Sequence, residues 1–273
     1  MIWTILLLVL AIALFMFGGM LFKHDSKKPS ACAMMAKKFV KLVAIVLVTG
    51  CVTRLFVPYY LTSVNPAILQ EMANGMQAQE NEDKNKLVRS YVRSNADKMM
   101  ADAPILGNVD AKNTIFIWTD FSCPYCRRVH GELERVLADR DDVRVVLKNF
   151  SIHGPLSDAP AKAVIAAKIQ GNDKAAALAS KLMTNEFYSQ EDMADQSKIG
   201  EKVEANVMNF AAEVGLDTAK LAEDMNGEVV SRELANVREL AQLFKINGTP
   251  FLIIGESAFP GAIPYDQIIN ALN

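Results

Sequence analysis

The chain has 273 residues, 51% of them hydrophobic and 22% charged, with 29 basic against 31 acidic side chains. That composition excludes a disordered chain, a collagen-like fibre and a disulfide-dense miniprotein, and the length suffices for one elaborated domain with a tail or for two small domains. The formal charge of −2 gives no reason to expect nucleic acid, but it averages over an asymmetry. Between Lys23 and Arg54 lie seven Lys or Arg and the single Asp25; taking these from the totals leaves 22 basic against 30 acidic residues from Leu55 onward. A basic collar precedes an acidic body.

Residues 1–22 contain an unbroken apolar run, Ile2 to Phe22, long enough to cross a hydrocarbon core about 30 Å thick. Nothing charged precedes it, and Lys23, His24, Lys27 and Lys28 follow. It therefore reads as a transmembrane helix rather than a secretory signal peptide, with the basic loop 23–38 in the cytoplasm. A second apolar segment, 39–61, would carry the chain back out and leave the remainder periplasmic or extracellular. Lys41 and Arg54 shorten its uninterrupted part, and Val48-Thr49-Gly50-Cys51 resembles a bacterial lipobox. Two readings follow. Either the segment is a second membrane helix in which Arg54 snorkels to the interface beside Tyr59 and Tyr60, or it is a lipoprotein-type signal segment and Cys51 is acylated.

Residues 62–107 are polar and helix-prone, with Pro66 suited to a helix start. Ile68, Leu69, Met72 and Met76 are separated by a polar stretch from Leu87, Val88, Tyr91 and Val92. The pattern predicts one or two amphipathic helices serving as a spacer, an oligomerisation stalk or a helix packed on the following domain.

From residue 108 the pattern changes. Thr114 to Trp118 has a buried-strand pattern, and a helical pattern with Val129, Leu133, Val136 and Leu137 follows it. Val143 to Phe150 predicts another strand. Residues 157–244 turn helical and Ala-rich, with Gly171, Gly215 and Gly227 near the breaks. Thr249 to Gly255 predicts a short strand and Tyr265 to Leu272 a terminal helix. The order is that of an α/β domain interrupted by an α-helical insertion.

The chemistry-bearing motif is Cys123-Pro124-Tyr125-Cys126, at the junction of strand and helix. Unpaired N–H groups and the helix dipole there favour a thiolate on the first cysteine, and Pro124 fits the first helical position. Cys123 is expected to be the exposed nucleophile, with Cys126 one turn in and able to resolve a mixed disulfide. Arg127, Arg128 and His130 follow as cationic neighbours or as plain surface charges. Zinc would need two further ligands, and the soluble part offers only His130 and His153. A structural disulfide is the other alternative, awkward at such a turn. Asp120, just before the motif, is a candidate for proton transfer from the buried thiol or a polar strand terminus. His153 reads as a loop histidine.

The FSCPYC motif after a strand, the helical insertion and the Gly248-Thr249-Pro250 strand entry together resemble the DsbA-like branch of the thioredoxin superfamily, over roughly 108–273. The resemblance implies a thioredoxin-like α/β fold with an inserted α-helical subdomain, and the membrane helices and helical stalk read from the residues precede it. It implies that Pro250 is a cis-proline facing the cysteine pair, leaving the Thr249 backbone free to pair with an extended substrate peptide. A trans proline that merely opens an edge strand is the bland alternative. DsbA itself carries Pro-His between its cysteines, whereas Pro124-Tyr125 is similar to glutaredoxins and some isomerase-type Dsb proteins. That departure weighs against strongly oxidising behaviour, because a neutral phenol stabilises a thiolate less than an imidazolium does.

The expected protein is thus a membrane-tethered thiol–disulfide oxidoreductase of a bacterial inner membrane, with its catalytic domain in the periplasm. It would act on cysteines of envelope or secreted proteins and need no cofactor beyond the redox pair Cys123–Cys126. A DsbB-like membrane oxidase would reoxidise it; an oligomeric isomerase or reductase kept reduced by a DsbD-like donor is the reverse reading. A redox-inactive envelope scaffold is a third, opposed by the intact Cys123, Cys126 and Pro250.

Overall fold

The structure is a computed structural model that describes residues 31–60, 66–195 and 197–273. The first apolar run, the basic loop up to residue 30 and the 61–65 connection lie outside the described residues. The chain divides into two compact units, Met1–Gln79 and Glu80–Asn273.

In the first unit, α1 (Ala31–Tyr59) contains the segment Lys38–Tyr59, whose 22 residues are long and apolar enough to cross a membrane. At 1.5 Å per residue they span about 33 Å. The lipobox-like residues lie inside this helix without a break, so Cys51 is a helical residue. The Thr53 hydroxyl donates to the Thr49 carbonyl at 2.7 Å, and Thr49 donates likewise to Ile45. Such back-bonding satisfies the hydroxyl within the helix itself.

Helix α2 (Pro66–Met100) is one helix of 35 residues rather than two. Its residues from Glu80 onward belong to the second unit. Val88 and Met99 are buried there in one cluster with Phe116, Trp118, Val237 and Phe244, and Tyr91 meets the Phe244 ring edge-on at 5.4 Å. Of the three uses expected for 62–107, this half takes the third, a helix packed on the domain. The compact unit accordingly begins well before 108.

The sheet has five strands in the order β1-β3-β2-β4-β5: β1 (Ile105–Gly107), β2 (Asn113–Thr119), β3 (Val143–Asn149), β4 (Phe251–Ile254) and β5 (Ser257–Pro260). Only β2 and β3 are parallel, Asn113 facing Val143 through Thr119 facing Asn149. The sequence pattern predicts β2, β3 and β4; the short edge strands β1 and β5 are additions. Alternation along β2 divides the core. Ile115 and Ile117 face a cluster containing Val129, Leu133 and Val136 of α3 (Pro124–Asp139), together with the helical insertion and Ile268 of the last helix, α10 (Tyr265–Leu272). Phe116 and Trp118 face the α2 side. A strand covered on both faces reads as a continuous apolar run, as β2 does.

The insertion comprises α4 (Asp158–Gln170), α5 (Asn172–Thr184), α6 (Gln190–Ala194), α7 (Ile199–Glu213), α8 (Thr218–Asp224) and α9 (Glu228–Leu243). Helix α4 is buried almost all round from Ala159 to Ala167, and its small side chains let its neighbours approach closely. Gly215 closes α7 at φ 76°, where the N–H of Leu216 bonds back to the Ala211 carbonyl, a left-handed cap that glycine adopts without strain.

Candidate active site

Strand β2 runs directly into the motif. Cys123 is the N-cap of α3 and Pro124 its first residue, so no N–H is wasted at the helix start. The amides of Cys126 and Arg127 bond the Cys123 carbonyl at 3.0 and 3.2 Å and close the first turn. This sets Cys123 at the mouth and Cys126 one turn beneath it, both as free thiols. Across from them the Thr249–Pro250 peptide is cis, as the resemblance implied, and the Cys123 thiol faces the Thr249 carbonyl at 3.5 Å. The trans alternative is set aside.

Cys123 is less open than the sequence suggested. It is 5% exposed, because the Thr249 backbone lies against its sulfur, whereas Tyr125 between the cysteines is 63% exposed. Cys126 is fully buried. Burial pushes its thiol up from 9.0 to about 12, opposed by the Asp120 N–H, which reaches the sulfur at 3.5 Å, and by the hydroxyls of Thr249 and Thr119.

The neighbouring cations do not gather on the thiols. Arg127 donates to the Phe121 carbonyl at 3.3 Å and its guanidinium lies 5.4 Å from the centre of the Phe187 ring. Arg128 is exposed. His130 is neither a surface charge nor a thiol partner; it is buried and paired with Glu134 at 3.1 Å, and burial pushes its pKa down. Among the described residues no three His, Cys, Asp or Glu side chains gather as a metal-holding group.

Asp120 touches Cys126 through its backbone, and its carboxyl is engaged elsewhere. One oxygen accepts from the Ser122 N–H at 2.8 Å, the other from the Ile152 N–H at 2.9 Å, and the Ser157 hydroxyl reaches both at 2.7 Å. His153 Nδ1 meets the same carboxyl at 2.9 Å. The Ser122 hydroxyl adds a bond to the Leu156 carbonyl at 2.7 Å. One carboxyl thus ties the motif to the loop after β3 and to the start of α4. Sequence reading left His153 as a plain loop residue and passed over Ser122, Ser157 and Thr119. The signal for Thr119 was present: in Ile115-x-Ile117-x-Thr119 a hydroxyl takes the position where the alternation calls for an apolar side chain.

These features define a class: a thioredoxin-type sheet carrying a helical insertion and a Cys-Pro-Tyr-Cys dithiol opposite a cis-proline. The family described as Thioredoxin matches residues 100–273, and the chain belongs to that family. A thioredoxin-like oxidoreductase from Silicibacter pomeroyi is 32% identical, with a TM-score of 0.56 over 64% of this chain and 94% of that one. ScsC of Proteus mirabilis in a transitional conformation is 26% identical, with a TM-score of 0.55 over 81% of this chain and 93% of that one. The Na(+)/H(+) antiporter NhaA 1 of Mycolicibacterium gilvum is 28% identical over 173 residues, which is 62% of this chain but 26% of the antiporter. The chain therefore spans about a quarter of the length of that curated relative.

Proposed function

We propose that the protein is a membrane-anchored, periplasm-facing oxidase that introduces disulfides into envelope or secreted proteins. The observation that carries this reading is the placement of Cys123 at a helix N-cap, against the Thr249 carbonyl, with Cys126 buried one turn behind. A substrate thiolate attacks Cys123 of the protein's disulfide, and a second substrate thiolate then releases the new disulfide. The protein is left as the dithiol and is reoxidised by a DsbB-like membrane partner. The acidic body and the candidate span Lys38–Tyr59 support an anchored domain outside the cytoplasm, where disulfides persist. The anchor in this reading is α1 itself. Acylation at Cys51 would instead cut the chain before that residue, and the mass of the mature protein separates the two.

The reverse direction, an oligomeric isomerase or reductase served by a DsbD-like donor, draws its support from the exposed Leu69, Met72 and Met76 of α2 and from the Pro-Tyr pair. The test uses the full chain in detergent micelles. Its redox equilibrium with glutathione is read by thiol alkylation, and its mass is read in parallel. A monomer poised near the strongly oxidising end, about −120 mV, supports the oxidase; an oligomer near −200 mV or below supports the reverse reading. Cys123→Ser is expected to abolish exchange, and Cys126→Ser to accumulate the mixed disulfide. Undiminished exchange in Cys123→Ser overturns both directions.

A further inference from the structure

We propose that the hydroxyls of Thr119 and Thr249, with the backbone N–H of Asp120, form a three-donor cradle for the Cys126 thiolate, which makes Thr119 a catalytic residue of the exchange reaction. The inference rests on the exchange activity proposed above and does not depend on its direction.

Three observations converge on it. Thr119 ends β2 on the face of the sheet that carries Ile115 and Ile117, the face against which Cys126 packs, and it is 1% exposed. Thr249 precedes the cis-proline on the opposite side of the motif. The Oγ1 atoms of both are buried without a hydrogen-bond partner in the dithiol, and both hydroxyls favour the ionised form of Cys126. Buried hydroxyls ordinarily find partners. Two orphans beside one sulfur, with the Asp120 N–H already directed at it from 3.5 Å, describe a site completed by a better acceptor than a neutral thiol. A thiolate is that acceptor: hydroxyl hydrogens rotate to meet it, and a charge-assisted bond is roughly twice as strong as a neutral one.

The reaction calls for such an acceptor at Cys126. When a substrate thiolate attacks Cys123 Sγ, the substrate–Cys123 bond forms and the Cys123–Cys126 bond breaks. The electron pair stays on Cys126, in a site that water does not reach, until a proton follows from solvent. A second substrate thiolate then attacks the substrate sulfur of the mixed disulfide, and Cys123 leaves. Two electrons and two protons pass from the substrate dithiol to the protein. Leaving-group stability sets the rate of the first step. In the reverse direction the same cradle holds Cys126 as the attacking thiolate, so the donors act on the same barrier.

The test compares Thr119→Val with Thr119→Ser in the full chain in micelles. Two rates are read: reduction of the Cys123–Cys126 disulfide by glutathione, and alkylation of Cys123 in the reduced protein. Thr119→Val keeps the shape and removes the donor, so disulfide reduction is expected to slow about ten-fold with Cys123 alkylation unchanged. Thr119→Ser is expected to restore most of the rate, and Thr249→Val to repeat the loss. Native-like reduction in Thr119→Val overturns the cradle, as does an equal fall in both rates that serine does not rescue. A native chain that fails to exchange with dithiol substrates but keeps this rate pattern with glutathione overturns the proposed function and leaves the cradle standing.

Discussion

At the residue scale the site is a matter of which polar atoms are buried with partners and which without. Asp120 spends its carboxyl on Ser122, Ile152, His153 and Ser157, and offers Cys126 only its N–H. Cys126 carries a pH signature of its own. Burial raises its thiol from 9.0 to about 12, so the folded dithiol keeps a proton that the unfolded chain gives up near 9.0. Its contribution is full below the unfolded value and is lost as the pH rises toward the folded one. The reduced native protein is therefore expected to lose thermal stability between pH 9.0 and about 12 relative to reduced Cys126→Ser. Parallel loss in the two proteins would refute the assignment. The motif and the strand before it were legible in the sequence because they are local. Apart from Ser122, the partners of Asp120 were not, because they come from a segment more than thirty residues away that the tertiary fold returns to the strand end.

At the element scale the notable piece is the C-terminal half of α2. Its apolar residues Val88, Tyr91 and Met99 were visible in the sequence, but what they face was not, since an amphipathic helix serves a stalk or a domain equally well. The structure decides it by burial: Met99 is 1% exposed beneath the α2 face of the sheet. Met99→Ala is expected to lower stability by about 2–5 kcal/mol, seen as a lower urea midpoint with an unchanged slope. A residue on a free stalk would give almost no change. The edge strands escaped the sequence for a related reason. β1 has three residues and β5 four, too few to show alternation, and their pairing with β3 and β4 is a product of the assembled sheet.

At the scale of the whole catalytic unit, one ion pair joins three parts of the fold. Lys148 of β3 meets Glu233 of α9 at 2.6 Å and donates to the Met99 carbonyl at the end of α2 at 2.8 Å, and both side chains are buried. Burial pushes the Lys148 pKa down and the Glu233 pKa up, each restrained by the other. Removing one partner strands the other. Glu233→Ala is expected to cost about 3–5 kcal/mol, while the double change Lys148→Met with Glu233→Leu costs much less, measured by urea unfolding. A double change as damaging as the single one would show that the pair contributes attraction beyond its own desolvation. The α/β order and the 157–244 insertion followed from sequence periodicity, but a lysine near the end of a buried strand had no sequence rationale until α9 and α2 were seen to meet over it.

The two outer strands have a further consequence, for how this protein meets copies of itself. Beyond β1, the Asn172 side chain accepts from the Ile105 N–H at 2.9 Å and donates to its carbonyl at 2.8 Å, and beyond β5, Asn85 accepts from the Ala258 N–H at 2.9 Å. Each asparagine amide stands in for the neighbouring strand that an open border would recruit from another chain. The sheet thereby presents borders already occupied at these positions, which guards the protein against edge-to-edge pairing with another copy of itself.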